Sequence, residues 1–511
     1  MPEYLIVFSI LWFFKIFKSI LFWLYLWQLK NYHIGRFLAH FETGFGKKII
    51  INWFLLILLS IGFLINNVIF GFVYLLDCLY SFFILFFKKV KKPDLTKKIL
   101  FLMFFIFIPF ISVLFYFITN TYQTEEVIVM FLLVDILVPI FISFVVLFFQ
   151  PITIFLRNRI INKAKQKRIK LENLLTIGVT GSYGKSSVKE FLRIILSESF
   201  KVTATESNNN SEMGISEHIL NKVNNNHEIF ICEMGAYNKG GIKLLCSIAN
   251  PKIGVITGIN DQHLSTFGSQ ENIIKAKFEL VDSLPEEGLA VLNWDSELIK
   301  KNFKRDIASI KYGIKGKEDV WVENIKIDKN NVSFKVCFKN NTSVKIEADI
   351  IGEQGINNLL AAISIAKKLG MDLKEIALAC KKIKQDNIFS KNRVDIINFS
   401  YSANISGVLS HLDHLKIWQG KKIIVMPCLI ELGKDFNFVH KTIGERIDEV
   451  CDLAIITNKD CFKQIKKETS KAVFIDKPIS VYRKIRETVS FGDVVLLEGR
   501  ISNDIIKLLK Q

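Results

Sequence analysis

The residues whose spacing carries the most chemistry are Gly181-Ser182-Tyr183-Gly184-Lys185-Ser186-Ser187, with Thr180 before them. They follow a β-rich run from Asn173 and lead into a helical pattern reaching about Leu196. Strand, glycine turn, lysine, hydroxyl residue and helix, in that order, cradle phosphate groups. Backbone N–H groups and the helix N-terminus face the anion, Lys185 neutralises β/γ oxygens, and Ser186 offers a hydroxyl to magnesium. The implied ligands are ATP and Mg2+. A glycine turn that merely precedes Lys-Ser does not account for the strand before it and the helix after it.

Only two residues separate Gly181 from the Gly184-Lys185 pair, where a common phosphate loop has about four. Further stretches follow in order. They are Ser207-Asn208-Asn209-Asn210-Ser211-Glu212-Met213-Gly214, then Glu233-Met234-Gly235 after the apolar run Ile229–Cys232, then His263 to Ser269 and Ala276-Lys277-Phe278-Glu279. Beyond them come Val291 to Asp295 with Asn293, Gly352 through Asn358 to Ala362, Arg393, Ser400-Tyr401-Ser402-Ala403-Asn404, Leu429 to Gly433, and His440. Jointly they resemble the Mur ligases, ATP-dependent enzymes that add amino acids and D-alanyl-D-alanine to the peptidoglycan stem peptide. The asparagine-rich loop is similar to that of the D-alanyl-D-alanine-adding branch. The similarity covers about residues 173–511. Singly, Glu233 is an ordinary strand end, His263 a loop histidine and Lys277 a helix lysine; their order behind the phosphate loop carries the resemblance.

The resemblance implies roles. Thr180 through Ser187 hold the phosphates of ATP, and Asn293, Asn358 and Arg393 stand on the nucleotide side. Ser186 and Glu233 hold one magnesium; His263 and a carbamoylated Lys277 hold a second near the acceptor carboxylate. Asn208 and Asn210 lie on the acceptor side, with Tyr401 and Asn404 toward substrate. Lys185, Glu233, His263 and Lys277 form the catalytic set. Three departures stand against it. The Asp-Asp-Ser-Tyr-Asn-Ala-Asn-Pro pattern of that branch reads Asn398-Phe399-Ser400-Tyr401-Ser402-Ala403-Asn404-Ile405; Gly258 replaces an expected asparagine, and Gln354 an expected histidine. The ATP and metal machinery is therefore better preserved than the amine side.

The elements that must position these residues are α/β. From Glu172 to about Ser390, β/α alternation with a β-rich insertion near 307–350 predicts a central ATP-binding domain (172–390). A second alternation, with strands at Val394–Tyr401, Lys422–Leu429, Leu453–Thr457, Val473–Asp476 and Val494–Glu498, predicts a Rossmann-like C-terminal domain (391–511).

Residues 1–150 read differently. Five apolar stretches, about 4–27, 49–66, 69–87, 99–118 and 127–149, approach the roughly 20 residues a spanning helix needs. The first is too long for a signal peptide and lacks its basic start. Lysines and arginines crowd the loops after the first and third spans and the 151–171 linker after the fifth, whereas 120–126 carries only Glu125 and Glu126. Basic loops face the cytoplasm, so the reading is a multi-pass membrane protein with its N-terminus outside and its catalytic domains inside. Asp77 and Asp135 stand in the spans without an acidic or basic partner at helical spacing. The spans occupy the place where soluble Mur ligases carry a uridine-nucleotide-binding domain.

Composition agrees. Half of the 511 residues are hydrophobic and the formal net charge is +18. Much of that charge sits beside apolar spans, where anionic lipid is the simpler partner and nucleic acid is not implied. No pair among the eight cysteines forms CxxC, so buried free thiols in a reducing compartment are expected. The function that follows is an ADP-forming carboxylate–amine ligase of cell-wall synthesis, working on a nucleotide- or lipid-linked precursor and an amino acid or dipeptide. The alternative is an ATP-binding membrane scaffold with a degenerate Mur domain. A folate-polyglutamate or cyanophycin type of ligase fits the asparagine-rich loop less well, and an ATP-driven transporter lacks coupling residues in its spans.

Overall fold

The structure is a computed structural model. It describes all residues except 1–2, 31, 33, 42–43, 88–89, 120–122, 207–208, 237, 261–266, 330, 385–386, 392, 401–403, 430–431 and 511. The chain divides into two units, Met1–Arg157 and Asn158–Gln511.

The first unit is helical: α1 (Glu3–Leu29), α2 (Ile34–His40), α3 (Gly44–Ile65), α4 (Asn67–Phe87), α5 (Lys97–Thr119) and α6 (Thr124–Phe148). All but α2 are long and apolar enough to cross a membrane. The break between the second and third spans is made by Asn66, whose Oδ1 accepts the Ile69 N–H at 3.0 Å, satisfying a donor that a helix start leaves open. Inside the unit, Trp12 stacks on Phe131 and Trp27 on Phe37, each pair with centroids 4.0 Å apart. The two aspartates are not isolated. Lys15 Nζ lies 2.7 Å from Asp77 and 2.5 Å from Asp135, and Tyr74 donates to Asp135 Oδ2 at 2.8 Å. Helical spacing within one span cannot reveal a partner on another helix, which is why the sequence concealed this cluster.

The expected linker is a helix, α7 (Gln150–Lys170), and its later part belongs to the second unit. Ile161 and Ala164 are buried in a core that includes Leu171, Leu174 and Val223. The Arg168 guanidinium, 3 % exposed, donates to the carbonyls of Ala249, Leu171 and Leu174 at 3.0, 2.9 and 2.7 Å and to Thr176 Oγ1 at 3.0 Å. The globular unit therefore begins near residue 158 rather than 172.

Its first sheet has nine strands: β1 (Leu175–Thr180), β2 (Val202–Ala204), β3 (Ile229–Glu233), β4 (Ile253–Ile256), β5 (Leu289–Asn293), β6 (Ala308–Tyr312), β7 (Val320–Ile327), β8 (Val332–Phe338) and β9 (Ser343–Ala348). Their order is β2-β3-β1-β4-β5-β6-β7-β8-β9. Pairing is parallel through β7, and β8 and β9 add an antiparallel meander. The expected β-rich insertion is thus an extension of the same sheet. The central strands are buried on both faces, as a parallel sheet requires. Its helices are α8 (Lys185–Leu196), α9 (Glu212–Asn221), α10 (Gly241–Ala249), α11 (Gln270–Asp282), α12 (Glu297–Asn302), α13 (Gly352–Lys368) and α14 (Leu373–Cys380).

The second sheet, ordered β10-β11-β15-β12-β13-β14, comprises β10 (Ile388–Lys391), β11 (Val394–Phe399), β12 (Lys422–Met426), β13 (Leu453–Ile456), β14 (Ala472–Phe474) and β15 (Val494–Glu498). Only β10 runs antiparallel. The sheet packs with α15 (Ile405–His414), α16 (Phe436–Val450), α17 (Lys459–Glu468), α18 (Pro478–Thr488) and α19 (Asn503–Lys510). Cys428 and Cys461 are joined as a disulfide, Cα atoms 5.5 Å apart. This corrects the expectation of free thiols for that pair; 33 residues apart, they form no motif. The other six are free and buried.

Candidate active site

The site lies at the carboxyl ends of β1, β3, β4 and β5, where a parallel sheet presents ligands. Leaving β1, the chain turns through Gly181 and Gly184 into α8. Gly184 has φ +75° and faces the Asn358 side chain so closely that a Cβ would collide with it; at Gly181 a Cβ would strike Thr257. Both turns therefore need glycine. Thr180 Oγ1 donates to the Met234 carbonyl at 2.9 Å, tying the loop to β3. Ser182 N–H donates to the Gly258 carbonyl at 2.8 Å, and Asn260 N–H donates to Ser182 Oγ at 3.1 Å. Lys185 Nζ donates back to the Gly181 carbonyl at 2.8 Å. Ser186 is exposed and Ser187 half-buried at the start of α8, where open N–H groups suit an anion.

Glu233 ends β3 at 1 % exposure. Its Oε1 accepts from Asn210 Nδ2 at 3.0 Å. Its Oε2 lies 3.3 Å from Lys189 Nζ and has no hydrogen-bond partner among the described residues. Lys189 was not singled out in the sequence; its place one helical turn after Lys185 was the available signal. Burial lowers the Lys185 pKa while Glu233 opposes the shift. Lys277, 2 % exposed on α11, has its pKa lowered from 10.5 to about 7 by burial and then by the Lys185 charge. A substantial neutral fraction follows. A neutral amine is the form that takes up carbon dioxide as a carbamate. A buried carboxylate oxygen without a hydrogen bond, a nearby hydroxyl and a lysine able to become an oxygen-donating anion suit a hard divalent cation, so these residues fit Mg2+.

On the nucleotide side, Asn293 Nδ2 donates to the Thr257 carbonyl at 2.8 Å. Its Oδ1 accepts the Asp295 N–H at 3.1 Å. A cavity of about 660 Å³ between the two sheets' domains is lined by Tyr183, Asn293, Asp295, Gln354, Asn357 and His414, among others. Asn404 caps α15, accepting Gly407 N–H at 3.1 Å, and its Oδ1 lies 3.4 Å from Asn260 Nδ2. Arg393 does not join this group. It has φ +62° at the opposite, amino end of β11 and lies over the Phe491 ring at 5.3 Å. His440 is structural: it accepts Leu429 N–H at 3.0 Å and its Nδ1 lies 2.8 Å from the Phe436 carbonyl. Asn208, His263 and Tyr401 lie outside the described residues.

A glycine turn between a parallel strand and a helix, with a buried glutamate and lysine beside it and a second Rossmann-like domain across a cleft, is the arrangement that the resemblance to the Mur ligases leads one to expect. The comparisons agree. Residues 179–366 match the Mur ligase middle domain. The UDP-N-acetylmuramoyl-tripeptide–D-alanyl-D-alanine ligase of Synechocystis is 29 % identical over 338 residues, 63 % of this chain and 71 % of that one. The Bacillus subtilis enzyme of the same name is 26 % identical over 65 % of this chain and 75 % of its own length. Among solved structures, the MurF ligase of Thermotoga maritima in complex with ADP aligns with TM-score 0.62 and 25 % identity, covering 68 % of this chain and 83 % of that one. MurF of Acinetobacter baumannii aligns with TM-score 0.64 at 21 % identity, covering 70 % and 81 %. The chain is a homologue of these ligases, with a Mur ligase middle domain at its centre and five apolar helices before it.

Proposed function

We propose that this chain is an ATP-dependent amide ligase that works through an acyl phosphate. It adds an amino acid or D-alanyl-D-alanine to a peptidoglycan-precursor stem peptide at the cytoplasmic face of a membrane. The observation that carries the reading is one cleft holding Lys185 on a phosphate loop, buried Glu233, and Lys277 with a pKa near 7.

A carboxylate is a poor electrophile, so transfer of the γ-phosphoryl of ATP to it creates a leaving group. The amine then attacks the acyl carbon, a tetrahedral intermediate forms, and phosphate departs. Phosphoryl transfer is chiefly a matter of positioning and charge neutralisation. Lys185 and the N–H groups of the 181–187 turn hold the β/γ-phosphates; Ser186 and Glu233 hold Mg2+, which when bound supplies further neutralisation. Lys277 as a carbamate, with His263, would hold a second ion and so supply further charge neutralisation for the acceptor. Asn208 and Asn210 lie toward the acceptor, Tyr401 and Asn404 toward the incoming amine, and Asn293 and Asn358 toward the nucleotide. The basic loops support an N-terminus outside and the globular unit in the cytoplasm.

The test is phosphate release from ATP by the full-length chain in detergent with Mg2+. A muramyl tripeptide is supplied in nucleotide- and lipid-linked forms, with and without D-alanyl-D-alanine. Release that needs both substrates and vanishes in Lys185→Ala supports the ligase and identifies the carrier. ATP binding without turnover for any pair favours the scaffold reading, for which the loss of acidic residues at Asn398-Phe399 is the supporting observation.

A further inference from the structure

At the carboxyl end of the second sheet an imidazole and a carboxylate form a pair that nothing above employs. Phe399 ends β11 and Glu498 ends β15, opposite each other in the parallel register. Glu498 is fully buried, and its Oε2 lies 2.7 Å from His411 Nδ1 on α15. A carboxylate accepts, so Nδ1 carries the proton. The Phe399 ring stacks on the imidazole, centroids 3.5 Å apart and planes 6° from parallel. Ring plane and tautomer are thus both fixed, which leaves the lone pair on Nε2. Nε2 has no partner among the described residues and, unlike Glu498 Oε1, is not sealed from solvent; the His411 side chain keeps 12 % exposure.

A buried carboxylate that fixes an imidazole while the other ring nitrogen stays open is the arrangement of a general base and its orienter. Burying Glu498 with Oε1 unpartnered costs free energy, and what it secures is one pose of His411. The imidazole stands on the face of α15 that meets the central domain. Asn404, which caps that helix, has its Oδ1 3.4 Å from Asn260 Nδ2. A Cβ at Gly407, one turn before His411, would lie 3.4 Å from Gln354 Oε1 of α13. His414, three residues further on, lines the interdomain cavity. The groups that act on His411 are Glu498 from β15 and His414 from its own helix, while Arg446 of α16 is turned to Asp413 at 3.5 Å. At 398–399 the resemblance to Mur ligases expects two acids, and Phe399 stands in place of one. A buried acid with an imidazole before it lies directly against that replacement.

We propose that His411 is the catalytic base of the amine half-reaction, its Nε2 removing a proton from the incoming ammonium, with Glu498 as its positioning residue. The inference rests on the ligase reading above and supplies a step which that reading leaves without a residue. An amino acid or dipeptide arrives with a protonated α-amine of pKa about 8, and an ammonium has no lone pair with which to attack. Nε2 takes one proton, becoming an imidazolium beside the Glu498 carboxylate, and the freed amine attacks the acyl carbon. The carbon–oxygen bond to phosphate breaks, and phosphate leaves with the electron pair and the second proton of the attacking nitrogen. His411 then returns its proton to solvent.

The test compares two nucleophiles on the full-length chain in detergent with ATP, Mg2+ and a muramyl tripeptide. One is D-alanyl-D-alanine, or whichever amino acid supports phosphate release in the assay above, and it must be deprotonated. The other is hydroxylamine, a weak base already neutral at pH 7, which traps the acyl phosphate as a hydroxamate. His411→Gln should lower amide formation about a hundredfold at pH 7, while hydroxamate formation stays within about threefold of wild type. The amide deficit should shrink to about tenfold or less at pH 9, where the amine is free in solution. His411→Ala should regain amide formation with added imidazole, and Glu498→Gln should fall between wild type and His411→Gln. Equal losses with both nucleophiles in both His411 variants would make the pair structural and overturn the proposal, as would undiminished amide formation in His411→Gln. A wild type that yields hydroxamate but no amide with any amine would remove the step and leave the phosphoryl half of the ligase reading standing. A wild type that yields neither would overturn that reading along with this one.

Discussion

Lys189 and Glu233 form an ion pair at 3.3 Å inside the protein, with side chains only 7 % and 2 % exposed. Removing Lys189 deprives the buried Glu233 carboxylate of its ion-pair partner, which is costlier than losing a surface bridge. Lys189→Met should therefore lower unfolding free energy by about 3 kcal/mol, read by urea denaturation of the purified chain. Glu233→Gln with Lys189→Met should recover part of the loss. A single variant as stable as wild type would mean that the pair is solvated in the working protein.

Lys277 makes stability depend on pH in a definite direction. Its folded pKa, about 7, lies below its ordinary 10.5. Between those values the unfolded chain holds more protons on this lysine than the folded chain, so stability rises with pH across the window. Below it both states are protonated and the burial penalty is fully felt. From pH 7 to pH 9, in buffer freed of carbon dioxide, wild type should gain about 2 kcal/mol relative to Lys277→Met. Parallel stability curves would remove Lys277 from this account. In the ligase assay, Lys277→Ala should lose activity that bicarbonate does not restore and that a short carboxylic acid restores in part.

Arg168 bonds four carbonyls and a threonine hydroxyl of the globular unit. Arg168→Leu removes the guanidinium donors from those acceptors and should cost about 3 kcal/mol, seen as a lower denaturation midpoint. A fragment beginning at residue 171 lacks Ile161, Ala164 and Arg168. It should be markedly less stable than one beginning near 158, and equal midpoints would contradict the packing of α7.

Cys428 and Cys461 should resist a thiol reagent after denaturation without reductant, while the other six cysteines react. All eight should react after reduction. Closing a 33-residue separation contributes about 3–4 kcal/mol, so dithiothreitol should lower the melting temperature of wild type but not of Cys428→Ser. Eight reactive thiols without reductant would show that the pair is reduced in the purified protein.

Within the helical unit, Lys15 bridges Asp77 and Asp135. Lys15→Leu alone should destabilise that unit more than Lys15→Leu combined with Asp77→Leu and Asp135→Leu, because the single change strands two acids. Thermal aggregation in detergent distinguishes the two. A triple variant worse than the single would point to a role for the acids beyond pairing.

Much of this was legible in the chain. Apolar length gave the five long apolar helices, and Gly181 to Ser187 gave the glycine turn from strand into helix, because both signals are local. The partners of Asp135, the Arg168 clamp and the Cys428–Cys461 pair were not legible, since each joins elements that only tertiary packing brings together. Lys189 and His411 went unremarked because a lysine and a histidine on helices look ordinary until their surroundings are seen.

Gly258, where an asparagine was expected, has a neighbour that explains it. The Tyr183 ring occupies the space a side chain there would need. The two positions are therefore sterically coupled. A side chain at 258 would need the Tyr183 ring to move or a smaller residue to take its place. Exchange of segments with relatives should succeed when both positions travel together and fail when either travels alone.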